Sequence, residues 1–221
     1  MYKRKVIAFA GLISVIVMLT SALVVATTQI TRTNLTQNNI AQALLNEHIL
    51  VSGTSYRLFK QLTDELIFGK DANQAEVRNK SAIIQQSIAK IIELEERQRQ
   101  ALGEEATQGS VEDTGALAAL LDEIISEFRL VIAEQNRSQL QQREKIQRLL
   151  EVTIDNRFRE AINTAVNRQS KVVASLNARI ETLSQSILWY AILLAIFTVP
   201  LVFLGAHWLL SVLYQPLDSI R

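Results

Sequence analysis

Cysteine is absent from this chain of 221 residues, which excludes disulfide bonds and thiolate metal sites. Proline and glycine are scarce, with two and seven residues. Because these two residues interrupt helices, their scarcity over this length predicts long helices joined by few turns. The net charge of +1 provides no strong positive field, so no nucleic-acid partner is predicted.

Patterns that carry catalysis are also missing. The chain has two histidines, His48 and His207, and contains no Gly-rich phosphate loop, no His-Glu-x-x-His motif and no Ser/His/Asp set at a suggestive spacing. His207 stands beside Trp208 in an apolar run, which is typical of a residue at a membrane interface. We therefore predict no catalytic residue, no metal site and no cofactor, and a chain that is not itself an enzyme.

Two long runs, residues 6–26 and 187–213, contain no Asp, Glu, Lys or Arg. Apolar runs of about 20 residues predict membrane-spanning helices. Lys3, Arg4 and Lys5 precede the first run and, by the positive-inside rule, keep residues 1–5 in the cytoplasm. Segment 27–186 then lies outside the cytoplasm, and the second span brings the chain back. The alternative is a cleaved signal peptide ending at 24–26, but the run exceeds the ~7–15 residues of a signal peptide's apolar core.

Segment 27–186 shows the periodicity of four amphipathic helices, with apolar residues recurring at offsets of three, four and seven. We expect a turn at 69–73, a second helix over 73–102 and a polar loop at 103–109. Ser110 and Asp113 resemble a capping box that begins the third helix. The charged stretch 93–99 is interpreted as a solvated face. The predicted apolar positions are Leu44, Leu45, Ile49, Val51, Leu58, Phe59, Leu62 and Leu66, then Ile84, Ile88, Ile91 and Ile92, then Leu117, Leu121, Ile124, Phe128 and Val131.

The turn before the fourth helix carries no Gly or Pro. We place it at 136–142, with Ser138 as a candidate N-cap, and keep Asp155-Asn156 as the alternative. The apolar phase of the fourth helix continues into residues 187–213, so the two are predicted to form one helix that Pro200 can kink. Its stripe comprises Leu150, Ile154, Phe158, Ile162, Val166, Gln169, Val173, Leu176, Ile180, Leu183 and Ile187.

The predicted fold is all-α, a membrane-anchored antiparallel four-helix bundle between two transmembrane helices. Its parts are a cytoplasmic N-terminus at 1–5, a first span at 6–26, a bundle at 27–186, a second span at 187–213 and a cytoplasmic end at 214–221. Because both ends of the bundle lie at the membrane, the first and third helices lead away from it and the second and fourth lead back.

Several polar residues fall where the bundle interior is predicted. Ser52, Ser55, Tyr56 and Arg57 cluster beyond His48 on the first helix, and Gln169 interrupts the stripe of the fourth helix. These six residues are the candidate ligand contacts, and the alternative for His48 is a core histidine with a hydrogen-bond partner. Buried polar groups require partners, which can be each other, water or a ligand. Arg57 is the best candidate for contact with an anionic ligand, because guanidinium matches carboxylate and oxyanion geometry.

Residues 214–221 end in Pro216-Leu217-Asp218-Ser219-Ile220, which resembles the opening of a HAMP linker, where a Pro-Leu pair starts the first signalling helix. Ile220 falls at helical spacing for the core of that helix. Together with the two spans, the layout is similar to the input half of a bacterial sensor histidine kinase whose catalytic motifs are not in this chain. Ser55-Tyr56-Arg57-Leu58 also resembles part of the first-helix motif of nitrate-sensing kinases, except that Ser52 stands where that motif has its anion-binding Arg.

The resemblance implies transmembrane signalling from the periplasm, in a protein of the bacterial inner membrane with both termini in the cytoplasm. It further implies a homodimer that packs along its first and fourth helices. An unidentified small molecule or periplasmic partner protein would shift the fourth helix, with Pro216, Leu217 and Ile220 passing on the change. The alternatives are the input half of a chemoreceptor or diguanylate cyclase, which share this layout, and a two-span membrane tether that does not signal.

Overall fold

The computed structural model describes residues 2–68, 74–133 and 139–218. These residues are almost entirely helical and contain no strand, which confirms the all-α class. The elements are α1 (Tyr2–Phe68), α2 (Gln74–Leu102), α3 (Glu104–Thr107), α4 (Ser110–Ala133), α5 (Gln139–Arg148), a π-helical segment (Leu149–Phe158) and α6 (Arg159–Asp218).

The predicted loop at 103–109 is confirmed as a connection, and it holds the short helix α3. Gly103 and Gly109 flank that helix with φ of 89° and 80°, a left-handed backbone that glycine adopts without steric cost. The predicted turn at 69–73 lies outside the described residues, and so do residues 136–138 of the predicted turn at 136–142, which include the candidate N-cap Ser138. Residues 139–142 are already helical, since α5 begins at Gln139.

The alternative turn at Asp155-Asn156 is wrong, because both residues lie within the π-helical segment. At the end of that segment, the backbone N–H of Arg159 donates to the carbonyl oxygens of both Asn156 and Ile154. The wider ring of a π-helix changes the rotational phase of the residues that follow it. The chain therefore continues as a helix from Gln139 to Asp218, with an irregular stretch where the apolar stripe begins.

The chain divides into two compact units, and α1 and α6 contribute residues to both. The unit Thr36–Leu176 contains the main hydrophobic core. All five predicted residues of the third helix are buried, and the predicted apolar residues of the other helices that belong to this unit are buried or partly buried with two exceptions. Ile49 and Ile92 are 52% and 54% exposed. The core includes Val51, Leu58, Phe59, Ile84, Ile91, Leu117, Ile124, Phe128, Leu149, Phe158 and Ile162. Ile180, Leu183 and Ile187 belong to the other unit and are partly buried.

The other unit comprises Met1–Leu35 and Asn177–Arg221. Two helices of the described chain are long and apolar enough to cross a membrane, α1 through its N-terminal part and α6 through its C-terminal part. Many of their large apolar side chains face outwards, for example Val24 and Phe203, which are 62% and 73% exposed. Apolar exposure of this extent is unfavourable in water and is expected of a surface that faces lipid.

Candidate functional site

His48 is a core residue with a backbone partner. It is 2% exposed, and its Nδ1 lies 2.8 Å from the carbonyl oxygen of Leu44, one turn earlier on α1. Since a carbonyl oxygen only accepts, Nδ1 carries the proton and donates. This geometry is that of a core histidine with a hydrogen-bond partner, and contact of His48 with a ligand stays a prediction.

The structure separates the polar residues predicted around His48. Ser55 is fully buried, and its hydroxyl has no hydrogen-bond partner among the described residues, while Ser52 is half-buried. Arg57 is exposed, and its Nε donates to the carbonyl oxygen of Gly53 at 3.1 Å. The predicted interior position of Arg57 is therefore wrong. Each residue turns a helix by about 100°, so two residues after an inward Ser55 the side chain points away from the core.

Tyr56 lies at the edge of an aromatic cluster. Its ring packs edge-on against Phe158 with centroids 5.4 Å apart, and against Phe59 at 6.4 Å, while the residue remains 36% exposed. Tyr56 is thus only partly buried, whereas the sequence predicts an interior position. Burial raises the pKa of the Tyr56 phenol, while the positive charge of Arg159 lowers it and the negative charge of Asp155 raises it. The ring therefore packs at the margin of the core and remains partly accessible to solvent.

Gln169 is buried as predicted, at 3% exposure, and its Nε2 donates to the carbonyl oxygen of Ala41 at 3.2 Å. It belongs to a set of buried polar residues, here called the polar layer, that sequence patterns did not reveal as a group. The layer consists of Glu95 and Gln98 on α2, Ser110 and Thr114 on α4, and Gln169 on α6.

Glu95 is the centre of the polar layer. It is 2% exposed, and its Oε1 accepts hydrogen bonds from the hydroxyls of Ser110 and Thr114 at 2.6 and 2.7 Å. Its Oε2 has no partner within the described part of the chain, and neither does Nε2 of Gln98, one turn further along α2. The predicted capping box is wrong, because Ser110 is directed to Glu95 across the helix pair, and Asp113 forms an ion pair with Arg168 of α6.

The layer separates two hydrophobic clusters. On α2, Glu95 follows Ile91 of the main core by one turn, and on α4 Thr114 precedes Leu117 by one turn. On α6, Gln169 precedes Val173, which belongs to the second cluster with Ala41 and Leu176. Gln37 Nε2 donates to the carbonyl oxygen of Ala101, so these two residues lie side by side on antiparallel helices. About one turn away on each helix, Ala41 lies beside Gln98. Gln169 is hydrogen-bonded to Ala41 and therefore lies at the same height along these helices.

The interpretation of the glutamates and arginines of 93–99 as a solvated face is therefore wrong for Glu95, which is 2% exposed, and right for the other four. Gln98 in the same stretch is also 2% exposed. The helical spacing of Ile84, Ile88 and Ile91 continues through Glu95 and Gln98. Extending the apolar stripe by one further turn places both residues on the core-facing side of α2, but this spacing alone does not show that a charged side chain is buried there. A stripe defined by apolar residue types does not include Glu95 and Gln98, because both are polar, although their positions continue its helical spacing.

A cleft of about 520 Å³ lies between α1, α2 and α4, near the end of α1 and the start of α2. Its walls include Leu62, Ile125 and Ile132. Its polar lining residues are Glu65, Gln74, Arg78, Ser81, Gln85 and Arg129. None of the six ligand-contact residues predicted from the sequence lines it. We refer to it below as the α1–α2–α4 cleft.

The π-helical segment is attached to α4 by a bidentate ion pair. Arg157 Nη1 and Nη2 donate to Oε1 and Oε2 of Glu123 at 2.6 and 3.0 Å. Hydrogen bonds from Arg157 lower the pKa of the Glu123 carboxyl, and the same bonds raise the pKa of Arg157. The pair is partly exposed, so its main effect is to orient the two elements, with a small contribution to stability.

The residues predicted to transmit the signal fall at the end of α6. Pro216 and Leu217 are within this helix, which extends to Asp218, whereas Ile220 lies outside the described residues. Among the described residues, no group of three or more His, Cys, Asp and Glu side chains could hold a metal ion.

Comparison with known proteins finds no matching family model, no matching curated protein and no matching solved structure. Any function of the polar layer and of the cleft must therefore be argued from their own geometry.

Proposed function

We propose that this chain is the input region of a bacterial transmembrane sensor histidine kinase. Residues 27–186 would form a periplasmic sensor domain, held in the inner membrane by spans at 6–26 and 187–213, with both termini cytoplasmic. The observation that carries the proposal is α6, a single helix from Arg159 to Asp218. It includes core residues such as Ile162 and Leu176 as well as an apolar stretch long enough to span a membrane.

The proposed sensor domain is an antiparallel four-helix bundle. Contacts between α1 and α2 pair Gln37 with Ala101 and Glu47 with Lys90, so the sequence number rises on one helix as it falls on the other. Contacts of α4 with the chain that follows pair Asp113 with Arg168, and Glu123 with Arg157, in the same sense. These orders of contact support an up-down-up-down arrangement with a core drawn from four helices.

The polar layer supplies a physical basis for two alternative packings. Glu95 Oε2 and Gln98 Nε2 are a buried acceptor and a buried donor, each without a partner among the described residues. A half-satisfied network gains little from one specific arrangement, so we expect a second helix position to lie close to it in free energy. A ligand or partner that favours one packing would shift α6, and the shift would pass to the HAMP start at Pro216 and Leu217.

A test of the signalling proposal uses insertions in α6 between residues 177 and 186 of the full-length receptor. A two-residue insertion rotates the following helix by about 200°, and a four-residue insertion by only about 40°, although it lengthens the helix more. We expect the shorter insertion to change kinase autophosphorylation in membrane vesicles several-fold, and the longer one to restore most of the original value. Equal effects of both insertions, or an absence of autophosphorylation from the intact receptor, would contradict the proposal.

The proposed receptor is a homodimer that packs along α1 and α6. Ile49 and Tyr56 lie two turns apart on α1 and are 52% and 36% exposed, so this face presents apolar surface that a second copy would cover. Since the chain has no native cysteine, Ile49→Cys provides a single cross-linking site. Mild oxidation of membranes should give a disulfide-linked dimer. The control is Val111→Cys on α4, which is 58% exposed and should remain monomeric. Equal cross-linking of both variants would exclude α1 as the specific interface.

A further inference from the structure

The α1–α2–α4 cleft combines apolar walls with charges of both signs. Its volume of about 520 Å³ is within the range of small-molecule sites. Leu62, Val77, Ile125 and Ile132 supply apolar surface from three helices. A cavity of this kind binds a compact apolar group well, and its few polar groups then decide which compounds are accepted.

The positive groups of the cleft come from different helices. Arg78 is on α2 and Arg129 is on α4, both are exposed, and neither has an ion pair within the described ranges. Two guanidinium groups without a carboxylate partner provide hydrogen-bond donors for an anion, and guanidinium matches the two oxygens of a carboxylate in particular.

Hydrogen-bond acceptors for a ligand cation come from α1 and α2. Glu65 Oε2 and Ser81 Oγ have almost no solvent-accessible surface and no hydrogen-bond partner among the described residues. Both residues line the cleft. The terminal torsion of a glutamate is soft, so a small rotation of the Glu65 carboxyl group turns an oxygen towards the cavity. A ligand ammonium group there would satisfy acceptors that are otherwise buried without a donor.

We propose that the α1–α2–α4 cleft binds a small zwitterion with an apolar body, of the class of the aliphatic and aromatic α-amino acids. The ligand carboxylate contacts Arg78 and Arg129, its ammonium group contacts Glu65 and Ser81, and its side chain packs against Leu62 and Ile125. The role of this ligand as a signal rests on the proposed sensor function, whereas its binding does not.

The direct test is calorimetric titration of the full chain in nanodiscs with L-leucine and L-phenylalanine. Each is compared with two analogues that lack one charge. These are 4-methylpentanoate and 3-phenylpropanoate, without the ammonium group, and 3-methylbutylamine and 2-phenylethylamine, without the carboxylate. We expect at least one amino acid to bind at least tenfold more tightly than both of its analogues, because each charged contact that is lost weakens binding by about that factor.

Variants locate the site. Arg129→Gln and Glu65→Gln should each weaken amino-acid binding by about tenfold or more, while far-UV circular dichroism confirms that the helices are retained. Arg57→Gln is the matched control, since Arg57 is an exposed arginine on α1 that does not line the cleft. Weaker binding in Arg57→Gln together with unchanged binding in Arg129→Gln would overturn the assignment in favour of the site near His48.

Three further outcomes distinguish the zwitterion proposal from the proposed sensor function. No binding of either amino acid at millimolar concentration would overturn the zwitterion proposal, and so would binding that none of the cleft variants weakens. Binding that depends on Arg129 and Glu65, but does not alter autophosphorylation of the full-length receptor, would support the site and contradict the sensor function. Failure of the site and failure of the proposed function are therefore distinguishable.

Discussion

Phe158→Ala is expected to lower the free energy of unfolding by about 3–5 kcal/mol, the largest effect we expect of a single substitution here. Phe158 is fully buried at the end of the π-helical segment. Its ring packs edge-on against Phe59 and Tyr56, with centroids 5.1 and 5.4 Å apart, and Phe59 in turn stacks on Phe128 at 6.3 Å. Removing the ring leaves a cavity that joins α1, α4 and the π-helical segment, and rigid helices cannot close it fully.

The measurement is urea unfolding of the full chain in detergent micelles, followed by far-UV circular dichroism. Val152→Ala is the control within the same segment, since Val152 is 49% exposed and its truncation should change stability by no more than about 0.5 kcal/mol. A loss below about 1 kcal/mol for Phe158→Ala would show that the aromatic cluster does not close the core of this unit.

Glu95→Ala is expected to lower the free energy of unfolding by about 2–3 kcal/mol, because it removes the acceptor of two buried hydroxyls. Ser110 and Thr114 donate to the same oxygen of Glu95, and they are 9% and 1% exposed. Once Glu95 is removed, Thr114 gains little from its hydroxyl. Thr114→Val should therefore cost less in the Glu95→Ala background than in the native chain, and a double-mutant cycle measures this coupling.

Glu93→Ala is the matched control on α2. Its side chain is 68% exposed and its Oε1 lies 3.7 Å from Nη1 of Arg97, so its loss should cost no more than about 0.5 kcal/mol. Similar stability of the Glu93→Ala and Glu95→Ala variants would contradict the buried role of Glu95. Additive effects of Glu95→Ala and Thr114→Val would show that the hydrogen bond between them contributes nothing measurable.

The sequence predicts the burial of Phe158 but does not predict the burial of Glu95. Phe158 is predicted as a core residue, because it continues the helical spacing of Ile154 and Ile162, and its burial is confirmed. Glu95 follows the same kind of spacing after Ile91, but a glutamate among charged neighbours is normally on a solvated face. Only the approach of Ser110 and Thr114 from another helix makes its burial favourable, and no local pattern on α2 indicates that approach.

The prediction that Arg57 lies in the bundle interior shows the same limit. The sequence shows which residues have side chains that could bind a ligand. Whether such a side chain points into the bundle depends on how its helix is rotated within the fold. Arg78 and Arg129 belong to helices that are far apart along the chain, and only packing of α2 against α4 brings them to one cleft. A contact of this kind is a property of tertiary structure, since no single segment contains it.

The sequence by itself determined the all-α class, the two helices apolar enough to cross a membrane, most of the core and the continuity of the last helix into the second apolar run. These follow from hydrophobic periodicity and from the scarcity of Gly and Pro, which act locally along the chain. Only the tertiary structure decided that Glu95 and Gln98 are buried, that Arg57 faces outwards, and that the π-helical segment replaces a turn at Asp155-Asn156. Each of these depends on which side chains neighbouring helices bring into contact.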